Sequence, residues 1–267
     1  MHAAAHNRVS TRQGEYCILD IALPGRAAES AGVLLLDGEA DELHLLLRRD
    51  WRCIAPPEDA EVLEALQEDL EWKARELGGR RFLEFLEDSL SNVLRIGERS
   101  TVLVDDFPRA LRRLYRRHVT STVQEFRTHL PVYSLRAAAG KWGDGMDVEM
   151  EGFEEVLDDR PLSGDMFIAY VHGRSMEPKI PDGSRCVFRG GGAKGSRVGR
   201  DFLIEHFGLS ENEGRYTVKR YFSEKRVTEE GWEHTRITLA PLNPEYPRWE
   251  LGPGDFRVLA EFVCVLD

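Results

Sequence analysis

Beyond about residue 128, glycine and proline repeatedly interrupt short apolar runs at 167–171, 185–188, 201–204, 216–221, 235–239 and 257–266. No other feature limits the fold as tightly. A helix of ordinary length needs ten or more residues without a breaker, whereas a strand needs four to eight. A compact, mostly β domain is therefore predicted for the second half of the chain. Gly190-Gly191-Gly192 and Gly195 mark a mobile loop inside it.

The first half reads differently. Tyr16-Cys17-Ile18-Leu19 and residues 32–36 are short apolar runs, Asp37-Gly38 is a hairpin signal, and 42–47 returns antiparallel. Pro56-Pro57 breaks the pattern. From Asp59 to about Arg95 the chain reads as helix. Val62, Leu63, Leu66 and Leu70 recur at helical spacing, as do Phe82, Leu83, Leu86 and Leu90, with Gly78-Gly79 between the two sets. A third helix starts after Asp105-Asp106, with Pro108 in its first turn, and runs toward Phe126. The expected fold class is α+β: an α+β domain over 1–105, a connecting helix over 106–129, and the β-rich domain over 130–267.

Chemistry concentrates in that last domain. Ser175 sits in a glycine-flanked turn, Gly173-Arg174-Ser175-Met176-Glu177-Pro178, followed by Asp182-Gly183. Lys219 sits in an apolar strand-like stretch beside Val218, Tyr216, Tyr221 and Phe222. Serine is a weak nucleophile until a base takes its proton, and lysine can be that base only when neutral. Lowering a lysine pKa from ~10.4 toward 7 costs roughly 4–5 kcal/mol, which burial among apolar side chains can supply. A turn at Ser175 also aims the backbone N–H groups of Ser175 and Met176 at a developing oxyanion. His172, next to this turn, reads as a strand histidine lining a cleft.

The Ser175 turn and Thr217-Val218-Lys219-Arg220 resemble the nucleophile and lysine segments of LexA-type serine peptidases, which share their peptidase fold with bacterial signal peptidases. Leu239-Ala240-Pro241-Leu242-Asn243-Pro244-Glu245-Tyr246-Pro247 is similar to that family's C-terminal signature, and 257–266 to its closing strand. The likeness covers about 130–267. It implies a strand-rich peptidase fold, Ser175 as nucleophile, Lys219 as general base, no cofactor or metal, and a homodimer through the C-terminal domain. Arg174 departs from the acidic or small residue often found there in the family's repressors. Those repressors often cut their own Ala-Gly bond upstream of the serine, and Arg136-Ala137-Ala138-Ala139-Gly140 looks like such a segment. Residues 136–141, with Ala139-Gly140 as the scissile pair, are thus either a self-cleavage site or a small-residue linker.

Composition narrows the partners. The formal net charge is -11. Residues 1–127 carry 18 basic and 23 acidic groups, and the remainder 18 and 24, so DNA binding is disfavoured though possible through a local basic patch. The turn between Lys73 and Leu83 has a helix-turn-helix-like spacing, but residues 56–100 hold 12 acidic and 6 basic groups, which suits an ordinary helical pair better. Arg109, Arg112, Arg113, Arg116 and Arg117 fall on one face of the third helix. They form either an anion-binding stripe or a solvated face paired with the acidic surroundings. Cys17, Cys53, Cys186 and Cys264 lack the spacing of a zinc site or a disulfide framework. With neither a signal-peptide core nor an apolar run of ~20 residues, a cytoplasmic protein without a membrane anchor is expected, which argues against a signal peptidase. The expected function is a serine endopeptidase that switches its N-terminal domain by self-cleavage. The alternatives are a DNA-binding repressor with proteolysis as its off switch, and a protease acting on a separate protein.

Overall fold

The structure is a computed structural model that describes residues 11–266 except 24, 90–92, 147, 192–194, 210–214 and 229–230; the side chains of 224–235 are also not described. The centre of the glycine loop at 192–194 and Leu90 of the helical pattern lie outside the described residues. The chain forms two units, Met1–Thr122 and Val123–Asp267.

The first unit is built on β1 (Arg12–Ile21), β2 (Glu29–Asp37) and β3 (Glu42–Leu47). Helices α1 (Trp51–Ile54), α2 (Pro57–Leu77) and α3 (Gly79–Ser89) follow, then β4 (Leu94–Ile96), β5 (Ser100–Val104) and α4 (Phe107–His118). The sheet runs β3-β2-β1-β4, with β5 also paired to β1, all antiparallel. Strand alternation sorts β2 by face. Leu34 and Leu36 join Leu63, Phe82, Leu83 and Leu86 of α2 and α3 in one core. Leu35 meets Val104 and Phe107 near Gly14, on the α4 side.

Several expectations shift here. The helical pattern expected to reach Arg95 stops as α3 at Ser89, and 94–96 becomes a strand. β1 is ten residues long, and its second edge is shared by two short partners, β5 against 12–16 and β4 against 19–21. Pairing of that edge outweighs the local pattern of so short a segment. Gly78, at φ 85°, closes α2 as its C-cap. The third helix ends at His118, short of Phe126, after its N-cap Asp106 accepts a hydrogen bond from Arg109 N–H at 2.7 Å. It packs on β2 and β3 through Ala110, Leu111, Leu114 and Tyr115, and so falls within the first unit.

A buried ion pair ties the end of this unit to its sheet. Arg48 and Asp50 form a two-bond fork at 2.7 and 2.8 Å, both nearly solvent-free. Asp50 accepts the Thr122 N–H at 2.6 Å, and Arg48 also reaches Glu29 at 3.0 Å.

The second unit begins with β6 (His129–Val132), which includes Pro131, then α5 (Leu135–Ala139) and a π-helical turn, Gly140–Asp144. The strands that follow are β7 (Gly152–Glu155), β8 (Met166–Val171), β9 (Ser184–Gly190), β10 (Asp201–His206), β11 (Tyr216–Thr228), β12 (Gly231–Ala240), β13 (Trp249–Leu251) and β14 (Phe256–Leu266). They make a nine-stranded sheet in the order β13-β12-β11-β10-β14-β9-β8-β6-β7. Among the described strands of this sheet, only the β6–β8 pairing is parallel. All six strand-like runs of the sequence fall in β8–β12 and β14. Both faces are covered: Phe167, Ala169 and Val171 enter one cluster while Met166 and Ile168 enter another. Fully burying each such large side chain contributes about 1.5–3 kcal/mol.

Candidate active site

The Ser175 turn is closed at its base by two hydrogen bonds. Gly173, at φ 101°, donates its N–H to Asp182 Oδ1 at 2.7 Å, and Gly183, at φ 74°, donates to the Val171 carbonyl at 2.9 Å. Val171 pairs with Ser184, so the turn is the connection between β8 and β9. Met176 and Ile180 plunge into the core below it, which leaves Ser175 half-buried between them and solvent. From the far side, the Leu242 and Asn243 N–H groups donate to the Ser175 carbonyl at 2.9 and 3.0 Å. Asn243 Nδ2 donates to the Arg174 carbonyl at 3.1 Å.

Lys219 comes from β11 and is 4% exposed. Its Nζ lies 2.9 Å from Ser175 Oγ, 3.1 Å from Thr217 Oγ1 and 3.3 Å from the Val218 carbonyl. The Trp249 ring of β13 closes one side, with its centroid 4.9 Å from the amine. No carboxylate hydrogen-bonds to Nζ among the described residues. Burial therefore pushes the Lys219 pKa down from 10.5 to about 8.

This arrangement suits a base. A neutral amine has two N–H donors and one lone pair. Thr217 Oγ1 and the Val218 carbonyl can take the two donors, leaving the lone pair directed at the Ser175 hydroxyl. The hydrogen bonds that shape the serine turn are donated by Gly173, Glu177, Ile180 and Gly183, not by Ser175 or Met176, the two groups expected to face an oxyanion.

The remaining sequence candidates fall elsewhere. His172 is exposed and lies just past the end of β8 at Val171, so it is not a strand residue. Ala139 and Gly140 stand at the junction of α5 and the π-helical turn, both in right-handed helical conformation. Ala139 is 1% exposed and shares a core cluster with Met176 and Val218. Ser134 caps α5 by accepting the Ala137 N–H at 3.1 Å. Of the five arginines on α4, Arg109, Arg113 and Arg117 are exposed and Arg112 and Arg116 half-buried, opposite the apolar face. All four cysteines are free thiols, and the described residues gather no group of three or more metal-ligand side chains. Among those residues no helix is long and apolar enough to cross a membrane.

Sequence reasoning gave no role to Trp249, Thr217, Leu242 or Asn243. Thr217 at two residues from Lys219 shares its face of the strand, a signal available from period-two alternation. The others reach the site through the return of the chain after β12, which no local pattern announces.

Residues 131–263 match a family model described as Peptidase S24-like, so the region holding both Ser175 and Lys219 is of that serine-peptidase kind. A search of curated proteins finds no match to the chain.

Proposed function

We propose, since residues 131–263 belong to the Peptidase S24-like family, that this chain is an endopeptidase using Ser175 as nucleophile and Lys219 as general base, and that it cuts its own Ala139–Gly140 bond. The observation that carries the reading is a nearly solvent-free amine 2.9 Å from a hydroxyl oxygen in a fixed turn. Ser175 Oγ attacks the Ala139 carbonyl carbon while Lys219 Nζ accepts the hydroxyl proton. The Ser175 and Met176 N–H groups stabilise the oxyanion. The intermediate then collapses, the C–N bond breaks, and Lys219 passes its proton to the Gly140 nitrogen. Water next attacks the Ala139 ester on Ser175 with Lys219 taking its proton. The acyl–Oγ bond then breaks, Lys219 returns the proton to Ser175 Oγ, and the N-terminal fragment leaves with a free Ala139 carboxylate.

Helical, buried Ala139–Gly140 makes this a latent state. Helices as short as α5 and its π-helical extension have little stability of their own and depend on their docking. Unwinding the segment would present the bond in the extended form a strand-like groove can take. Long incubation of the purified chain at alkaline pH, followed by intact mass, tests the reading. Fragments ending at Ala139 are expected from wild type and none from Ser175→Ala; equal behaviour of the two would sink it.

The same buried bond favours a second reading, an endopeptidase acting on a separate protein. Cleavage of a second protein by wild type and not by Ser175→Ala, with this chain intact throughout, would select it.

A further inference from the structure

Asp201 opens β10 and is a carboxylate with 4% of its surface exposed. Oδ1 accepts from Arg220 Nε at 2.8 Å, and Oδ2 accepts from Arg220 Nη2 at 3.1 Å and from Lys179 Nζ at 2.6 Å. Its two partners come from the two halves of the candidate dyad. Lys179 belongs to the Ser175 turn, four residues past the serine, and Arg220 directly follows Lys219 on β11.

The cross-strand register shows how this bears on the dyad. Asp201 pairs with Arg220, and the next residue, Phe202, pairs with Lys219. Successive side chains of a strand point to opposite faces. Asp201 and Arg220 therefore stand on the face opposite Lys219, and the carboxylate does not touch the amine. It joins the segments from behind. Burial pushes the Asp201 carboxyl up, yet the hydrogen bonds from Arg220 and Lys179 outweigh that and hold it below the usual carboxylate range, so the bridge stays charged. An Arg fork with both carboxylate oxygens is directional as well as strong. Lys179 adds the tie to the turn, its Nζ 4.9 Å from the centre of the Phe262 ring.

We infer that Asp201 is a positioning residue that locks the Ser175 turn to the Lys219 strand, setting the separation of hydroxyl and amine through Lys179 and Arg220. This rests on the Ser175–Lys219 reading and deepens it. A shift of about 1 Å in such a pair can cost on the order of a hundredfold in rate. Loosening the turn also lets water reach Nζ, which favours the ammonium form.

The test is a cycle of Lys179→Met, Asp201→Asn and the double variant on the full chain. Lys179 is half-exposed, so its single variant spares the Asp201–Arg220 fork and serves even if Asp201→Asn does not fold. Two readouts are taken: the first-order rate of fragment formation against pH, and the pH dependence of Lys219 acylation by acetic anhydride, followed by peptide mass. Lys179→Met is expected to slow cleavage about tenfold and Asp201→Asn about ten- to a hundredfold, with the double variant no slower than Asp201→Asn. Both variants should move the Lys219 midpoint above about 8. A Lys179→Met chain with wild-type rate and wild-type midpoint overturns the bridge. The acylation midpoint does not depend on cleavage. Self-cleavage that survives Ser175→Ala, or is absent from wild type, therefore defeats the reading of the dyad while the bridge is still judged by the midpoint.

Discussion

The indole of Trp142 lies so closely against Gly190 that a β-carbon there would overlap the ring at Nε1. The same ring stacks on Phe167 with centroids 4.0 Å apart. Trp142 is two residues past Gly140, so this contact fastens the π-helical turn that follows the proposed scissile bond. Arg257 fastens it further, donating to Asp144 at 2.7 Å while also paired with Glu205.

Gly190→Ala should expel the indole. A misfit of this kind costs about 1–3 kcal/mol, and if docking is what keeps Ala139–Gly140 helical, fragments should form about five- to a hundredfold faster. Intact mass over time checks this. A chain that loses stability yet cleaves no faster would separate the docking of Trp142 from latency.

The rate of cleavage should follow the neutral fraction of Lys219. With the amine titrating at about 8, the rate is expected to climb tenfold per pH unit below that point and to level off above it. A profile flat from pH 6 to 9 would remove Lys219 as the base.

Lys219→Met should abolish cleavage and stabilise the fold. The folded-state pKa of about 8 lies below the ordinary 10.5, so between them the unfolded chain binds more protons and wild-type stability rises with pH. Below pH 8 the buried ammonium costs about 3 kcal/mol, at 1.36 kcal/mol per pH unit. The methionine variant should therefore melt higher at pH 7, by an advantage that shrinks from pH 8 toward 10.5. Calorimetry across that range reads it directly.

Thr217→Val keeps the shape of the side chain and deletes the hydroxyl that holds one amine hydrogen. Cleavage should fall about tenfold at the plateau, matching a net hydrogen bond of about 1 kcal/mol or slightly more, with the melting temperature nearly unchanged. Full activity in this variant would show that Thr217 does not orient the lone pair.

In the first unit, Asp50→Ala removes the two-bond fork from the buried Arg48 guanidinium, leaving Glu29 as its carboxylate partner, and frees the Thr122 N–H. Breaking such a buried pair costs about 3–5 kcal/mol. Hydrogen exchange should report loosening in Met1–Thr122. Equal protection in variant and wild type would mean that the pair contributes little.

Much of this was legible in residue order. The β2–β3 hairpin at Asp37-Gly38, the break at Gly78 and six strands of the second unit follow from period-two runs and breakers. Ser175 and Lys219 were recognisable as a pair because residue type, neighbours and family likeness agreed. β4 and β5 were not legible, since three and five residues carry too little pattern and their strand form comes from the open edge of β1. The helical state of 135–144 was also hidden. Its alanines and glycines suit a linker as well as a helix, and docking of Trp142 and Asp144 on distant strands selects the helix.

The sequence by itself determined which residues could do chemistry and which stretches had to be strands, because both depend on residue type and local spacing. Tertiary structure decided the acidity of Lys219, the tie through Asp201 and the concealment of Ala139. Each of these arises where segments far apart in the chain exclude water together, and exclusion of water is a property of packing that no single segment possesses.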